Sequence, residues 1–460
     1  MYSALSLLTL APAFAATILL PREGAGPTIN FGNNTGTPKH LASGILYGLP
    51  DNQQQIPSAL LDGFGFNYGR AAGAQVGGGW CYGQAPYEQR FASALSNYQL
   101  TRAHGGSFVL MLHDLWGFDT TQNSSCAGPG DNGDWASYDK FLNAVIADIN
   151  KYKMQSNLII DIWNESDNAP FWGRSIDQWL AMWGRGYYRL RAAYNSGTVQ
   201  LSGPTTAGQP NFNNDWFTSW ASYVKKNNSI PDQYVWHEES GDSSSMSSSY
   251  DGLVAILKQN KLPLKTVNIN EYAVFDEQVP AGSAFWISQL ERYNAIGIRG
   301  NWLGGTQLHD LAASLLSKPN PNEYASTGYF PNGDYQVYRY YSQNMTGNRV
   351  GTSVSVDGKF DAYATVGGRF AKVLMGVRPP TTGTYTVTLN NLTALGLAAS
   401  GNLNVQTWKF PVGNDVHYSE VDGPTDLGNI GHSYSGNTLS LPYFQTDRTT
   451  TYAWEFAVGK

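Results

Sequence analysis

Between Leu41 and Leu316 the chain alternates short apolar runs with longer stretches whose apolar residues recur every three or four positions. The short runs have the length of buried strands, and the three-four spacing is that of a helix with one apolar face. Strands are predicted at Gly44–Leu49, Phe66–Ala71, Ser107–His113, Asn157–Trp163, Val199–Gly203, Gln233–His237, Thr266–Ile269 and Gly297–Trp302. Helices are predicted at Tyr87–Thr101, Trp135–Tyr152, Ile176–Tyr194 and Ser283–Ala295, among others. Eight strands each followed by a helix, over roughly 280 residues, predict the α/β class and a (β/α)8 TIM barrel. An open doubly wound sheet built for a nucleotide would carry a phosphate-binding glycine fingerprint after its first strand, and Gly48-Leu49-Pro50-Asp51 is not one.

After Asn344 the pattern changes to period two, at Thr352–Val356, Phe370–Val377, Thr384–Leu389, Leu403–Trp408, Leu439–Leu441 and Tyr452–Phe456. Turn residues separate these runs, as in a β-sandwich. The predicted organisation is a leader at 1–16, a catalytic barrel at 17–345 and a C-terminal β-sandwich domain at 346–460, with Thr28–Phe31 adding a strand to the sandwich. No Pro-rich or Ser/Thr-rich linker precedes the sandwich, so it reads as a brace on the barrel more than as a tethered binding module.

Composition narrows the function. The 460 residues are 14% charged with a net charge of −6, which leaves no basic field for nucleic acid or an anionic membrane. The 14 Trp and 28 Tyr suit neutral, hydroxyl-rich ligands, whose C–H faces stack on aromatic rings. An apolar stretch at Ala4–Ala11 followed by Ala13-Phe14-Ala15 reads as a secretory signal, and no later run is long enough for a membrane helix. A secreted, extracellular protein is expected. Cys81 and Cys126 fit that compartment as one disulfide, with two free buried thiols as the alternative. Glycosylation sequons begin at Asn33, Asn123, Asn227, Asn344 and Asn391; Asn164 also fits the pattern but falls at a strand end expected to be buried.

Reactive groups of such a barrel stand at the C-terminal ends of its strands. The fourth predicted strand runs into Asn164-Glu165 and the seventh into Glu271-Tyr272, so two carboxyl groups face one mouth from opposite sides. Glycoside cleavage needs that pair, one to protonate the leaving oxygen and one to attack or to activate water. A neighbouring carboxylate and the apolar wall of Trp163 are expected to raise the pKa of Glu165, and Arg70 to keep Glu271 ionised. His113 with Asp114 closes the third strand, either on sugar hydroxyls or as a structural pair. Of Glu238 and Glu239, one is expected to face solvent and the other the cleft. Trp80, Trp116, Phe118, Trp172 and Trp236 are candidate stacking surfaces. The run Ser243–Ser249 reads as a mobile loop at the cleft edge. The seven His include no pair four residues apart and no EF-hand spacing occurs, so no metal is indicated, and no Gly-x-Ser-x-Gly elbow is present.

Asn164-Glu165 and the Glu271 strand end resemble the acid/base and nucleophile pattern of clan A retaining glycoside hydrolases. The run Tyr335–Val350 and the β-rich segment after it are most similar to glycoside hydrolase family 39. The resemblance implies Glu165 as acid/base, Glu271 as nucleophile, and Asn164 as donor to the sugar 2-hydroxyl. It further implies Arg70 as the arginine that orients the nucleophile, His237 as a polar contact and Trp302 as a sugar platform. Tyr272 and Trp116 complete the expected substrate site, along with His113. Ser166 departs from the pattern, where many relatives carry Pro. The expected activity is cofactor-free double displacement on xylose-, arabinose- or uronic-acid-containing polysaccharides or oligosaccharides. The alternative is a carbohydrate-binding wall protein with little turnover, which has no use for two opposed glutamates.

Overall fold

The computed structural model of the protein describes residues 23–119 and 126–459. The predicted leader at 1–16 and the sequon at Asn123 lie outside them. The first strand, β1 (Glu23–Gly36), belongs to the C-terminal sheet. The chain then builds β2 (Gly44–Leu46), β3 (Tyr68–Ala71), β4 (Ser107–Met111), β5 (Leu158–Asp161), β6 (Val199–Thr206), β7 (Gln233–Glu238), β8 (Thr266–Tyr272) and β9 (Ile296–Arg299). These strands are parallel and close into a barrel where β2 pairs with β9. Runs such as Leu158-Ile159-Ile160 lack polar alternation because helices cover the outside and side chains fill the inside.

The helices are α1 (Ser58–Gly63), α2 (Gln84–Ala103), α3 (Leu112–Trp116), α4 (Ala136–Lys151), α5 (Ile176–Ala193), α6 (Asp215–Lys226), α7 (Met246–Asn260), α8 (Pro280–Arg292) and α9 (Gly333–Asn344). In α4 the residues Tyr138, Phe141, Leu142, Val145, Ile146 and Ile149 form the buried stripe that its spacing predicts. Side-chain caps fix four starts: Ser175 on α5, Asn214 on α6, Ser245 on α7 and Asn332 on α9, each worth about 1 kcal/mol. The serine-rich run is therefore no mobile loop. Ser245 caps α7, Ser244 is fully buried, and Ser249 hydrogen-bonds Glu238 from within the helix.

A two-residue pair, β10 (Leu316–Ser317) with β11 (Phe330–Pro331), precedes α9. The C-terminal strands are β12 (Asn348–Thr352), β13 (Phe360–Gly367), β14 (Phe370–Val377), β15 (Gly383–Asn390), β16 (Gly401–Phe410), β17 (Thr425–Tyr434), β18 (Thr438–Gln445) and β19 (Thr451–Ala457). With β1 they form a nine-stranded sheet in the order β17-β16-β19-β14-β13-β12-β1-β15-β18. The sheet folds over its own core of Ile29, Phe360, Val373, Val387, Leu441 and Phe456, giving the sandwich architecture. One predicted strand is displaced: of Thr352–Val356 only Thr352 lies in a strand, the last residue of β12, because Ser355 and Asp357 form a turn and leave Val356 exposed.

The sheet packs on the barrel through α8, which is buried along nearly its whole length. Gly376 of β14 lets the backbones meet, since a Cβ there would stand 2.0 Å from the Phe285 amide nitrogen. Polar clamps flank this contact. Arg349 reaches Glu291 at 2.6 Å, Arg292 and Gln289 hold Asp361, and Arg378 reaches Glu277 at 2.5 Å. Arg378 also donates to the Ser244 carbonyl, in the segment that leads out of β7. Among the described residues no helix is long and apolar enough to cross a membrane.

Candidate active site

Four strand ends deliver the expected side chains to one place. Arg70 on β3 is fully buried and makes a fork: Nη1 donates to Glu271 Oε1 at 2.5 Å, and Nη2 donates to Asp161 Oδ2 at 3.0 Å and Asn164 Oδ1 at 2.6 Å. Asp161 also accepts from Asn270 Nδ2 at 2.9 Å and Thr205 Oγ1 at 2.8 Å. Burial disfavours the Arg70 cation, but Glu271 and Asp161 outweigh it and push its pKa up. The guanidinium is a fixed charge that orients three acceptors.

Glu165 follows β5 in the left-handed backbone region, at φ +44°. Such a non-glycine conformation costs about 1–3 kcal/mol and is held here by a hydrogen bond from its amide to the Thr205 carbonyl at 2.8 Å. The turn aims the carboxyl inward, where Oε1 meets His237 Nδ1 at 2.8 Å and Oε2 accepts from Asn168 Nδ2 at 2.9 Å. On β8 a register shift between Ile269 and Tyr272 lets both Asn270 and Glu271 reach Arg70. His237, at the end of β7, stands between the two glutamates, with Nε2 3.6 Å from Glu271 Oε1.

The electrostatics differ from the sequence expectation. Burial does push Glu165 up, but the hydrogen bond and charge of His237, aided by Asn168 and Arg70, overcome it and leave the carboxyl below its ordinary value. Trp163 adds no open apolar wall; it is fully buried, donates to the Phe171 carbonyl at 3.2 Å and packs edge-on against His113. Burial lowers His237, yet Glu271 and Glu165 raise it above the usual imidazole value. Glu239 is held well above its ordinary value, by burial and then by the charges of Glu271 and Glu165.

Donor atoms of Glu165, His237, Glu239 and Glu271 all lie within 4.8 Å of one another. Three carboxyls and an imidazole are donor types a divalent cation accepts. Here one Glu271 oxygen is spent on the Arg70 cation and His237 Nδ1 on Glu165, so the set reads as a proton-sharing cluster.

Several predicted residues lie elsewhere. Tyr272 is fully buried, with its hydroxyl on the Ala42 carbonyl at 2.8 Å and on Tyr338 at 2.7 Å, because it points from β8 toward α8 and α9. It belongs to the packing outside the barrel, not to the substrate site. Trp116 is packed against Tyr138 and Phe141 and donates to the Ala127 carbonyl, so it too is core. Phe118, Trp172 and Trp236 are likewise buried. His113 pairs with Asp114 at 2.6 Å, and Asp114 with Tyr47, which is the structural alternative; its ring is enclosed by Trp163 and Phe171. Glu238 does not face solvent: it is sealed behind β7 against Trp236 and Ser249, while Glu239 enters the cluster. Trp302 is 46% exposed beside the mouth, its indole tied to the Ala273 carbonyl at 2.9 Å. Trp80, partly exposed, hydrogen-bonds Ser137.

Asp161, Asn270 and Thr205, which hold the Arg70 fork, were not singled out from the sequence. The signal is there: Asp161 interrupts the apolar run Leu158-Ile159-Ile160, and Asn268 and Asn270 do the same on β8. Cys81 and Cys126 form a disulfide. Asn164 is buried, as its position at a strand end suggested.

No family model matches the chain, and no curated protein matches it. Solved structures do. The chain is similar to N2152 from Neocallimastix frontalis at 21% identity and TM-score 0.73, over 96% of this chain and 100% of that one. It is similar to the GH39 enzyme from Xanthomonas axonopodis pv. citri at 12% identity and TM-score 0.59, over 98% and 100%. A monomeric beta-xylosidase from Caulobacter crescentus aligns at 12% identity and TM-score 0.55, over 94% and 99%. The fold is that of these structures, a barrel with a β-rich companion.

Proposed function

We propose that the protein is a secreted retaining glycoside hydrolase, of family 39 type, acting on xylose-, arabinose- or uronic-acid-containing polysaccharides. The observation that carries this reading is the separation of Glu165 and Glu271, whose facing oxygens lie within 4.8 Å. Retaining enzymes hold their carboxyls about 5–5.5 Å apart, whereas inverting pairs stand about 6.5 Å or more apart to admit a water. Structural neighbours that include a beta-xylosidase and a GH39 enzyme agree with it, as do a disulfide and a leader-like N-terminal sequence for secretion.

In this reading Glu271 attacks the anomeric carbon while Glu165 gives its proton to the leaving oxygen, producing a glycosyl ester. Glu165, now ionised, takes a proton from water, and the hydroxide attacks the ester and restores Glu271. The low proton affinity of Glu165 fits once His237 is counted. The imidazolium holds the proton one hydrogen bond away, and its transfer across the 2.8 Å contact arms Glu165 as the departing oxygen gains charge. Asn164 has its oxygen fixed by Arg70, which leaves its amide free to donate to the 2-hydroxyl. Trp302 offers an exposed ring at the mouth.

The test is to incubate wild type and Glu165→Gln with xylans, arabinogalactans and acidic microbial polysaccharides, identify released sugars by mass, and follow the first-formed anomer by NMR. Wild type is expected to release sugar with retained configuration, and Glu165→Gln to lose about 10³-fold in rate while still binding. Binding without release by either protein would replace this reading with a carbohydrate-binding one.

A further inference from the structure

Two carboxyl groups are enough for double displacement, yet three meet here. Glu239 leaves the end of β7 and places Oε1 against Gly300, just after β9; a Cβ at Gly300 would stand 2.1 Å from that oxygen. The absence of a side chain at position 300 is what makes room for the carboxyl. The same spot is 3.4 Å from the Trp302 indole nitrogen. From β8, Glu271 brings a carboxyl oxygen within 4.8 Å of one of Glu239; from β7 comes His237, from the end of β5 Glu165, and from β3 the Arg70 guanidinium. Asp161 is a fourth acid behind Arg70.

Charge counting shows why this is unusual. Asp161, Glu165, Glu239 and Glu271, all ionised, would face only Arg70 and His237 as cations. Carboxyl groups gathered this closely disfavour being ionised together, so one of them keeps a proton. The proton cannot rest on Glu271, whose Oε1 already accepts from Arg70 and which must be anionic to attack. Glu165 pairs with His237 Nδ1, accepts from Asn168 and is held below its ordinary value, so it is not the holder either.

We propose that Glu239 is a third carboxyl of the reaction centre, a positioning residue that keeps its proton and donates it in a hydrogen bond to Glu271, so that two anions face the sugar. Burial and the neighbouring charges favour that protonated form. The bond adds a second hold on the nucleophile beside the Arg70 fork and limits the negative charge as Glu165 cycles between acid and base. This rests on the hydrolase reading above for its catalytic consequence, but not for the proton itself.

The test combines kinetics with infrared spectroscopy on the full chain. Glu239→Ala, which loses the donor, is expected to lower kcat by about 100-fold with a small change in KM. Glu239→Gln keeps a neutral donor at every pH; it is expected to recover at least about a tenth of the wild-type rate and to extend activity to higher pH. In the infrared difference between wild type and Glu239→Gln at neutral pH, wild type should show the C=O stretch of a protonated carboxylic acid that the variant lacks. No such band, or a Glu239→Ala enzyme with wild-type rate and pH profile, overturns the proposal. If wild type cleaves no glycoside, the hydrolase reading fails while the infrared band still decides where the proton sits.

Discussion

His237 turns Nδ1 toward Glu165 Oε1 at 2.8 Å, at a barrel end where both side chains are almost sealed from water. The pair shares one proton, and its last proton leaves with the imidazole, whose affinity the two glutamates raise. In His237→Gln only Glu165 can hold that proton. A carboxylic acid loses it at lower pH than a supported imidazolium, so the alkaline limb of kcat/KM should move toward acid by about one unit or more, with kcat down by about 100-fold. An unmoved limb in a pH-rate profile would mean that His237 does not serve Glu165.

Arg70 binds Glu271, Asp161 and Asn164 from inside the barrel, with no exposure of its own. Arg70→Met strands two buried carboxylates and should cost about 3–5 kcal/mol. Arg70→Lys restores the charge but not the planar fork, so it should recover part of the stability and little of the rate. Urea midpoints and kcat measured on both variants check this; a fully active Lys variant would refute the orienting role.

Stability should be a dome in pH. Glu239 and Glu238 have raised values, as does His237. The native state therefore binds more protons than the unfolded chain above their ordinary pKa values, and their contribution is lost as pH rises. Glu165 and Asp114 are lowered, so theirs is lost as pH falls. Melting temperature should peak between these ranges, and Glu239→Gln should flatten the alkaline side. A variant as pH-sensitive there as wild type would show that Glu239 is not involved.

Trp302 is exposed at the mouth with its indole pinned to the Ala273 carbonyl. Trp302→Ala should raise KM about five- to ten-fold, the loss of roughly 1 kcal/mol of stacking, and change kcat little. Initial rates over a range of oligosaccharide concentrations measure it.

Much of this was legible from residue order. The barrel strands are buried on both faces and short, so apolar runs mark them well, and Glu165, Glu271, Arg70, Asn164 and His237 all sit at ends those runs define. Two sheet strands were not legible for opposite reasons: β13 is buried over its first six residues, with Asp361 paired to Arg292, and so has no alternation, whereas β17 is an exposed, glycine-bearing edge. Tyr272 was misplaced because a strand shift on β8 breaks the period-two rule at the residue beside Glu271. The proton affinity of Glu165 depends on His237, 72 positions away, and no local pattern encodes that contact.

Arg378 follows β14 in the C-terminal sheet, yet its guanidinium holds the Ser244 carbonyl, and Ser244 Oγ accepts from the Ser240 amide beside Glu239 at 2.9 Å. Gln209 ties the same serine to the His237 carbonyl. The companion sheet thus reaches the proton-bearing segment without touching substrate. In evolutionary recombination, a module exchanged for this sheet would have to supply the Arg378 contact anew to keep the acid-base tuning, and lesions in the sheet should surface as displaced pH optima before they surface as lost affinity.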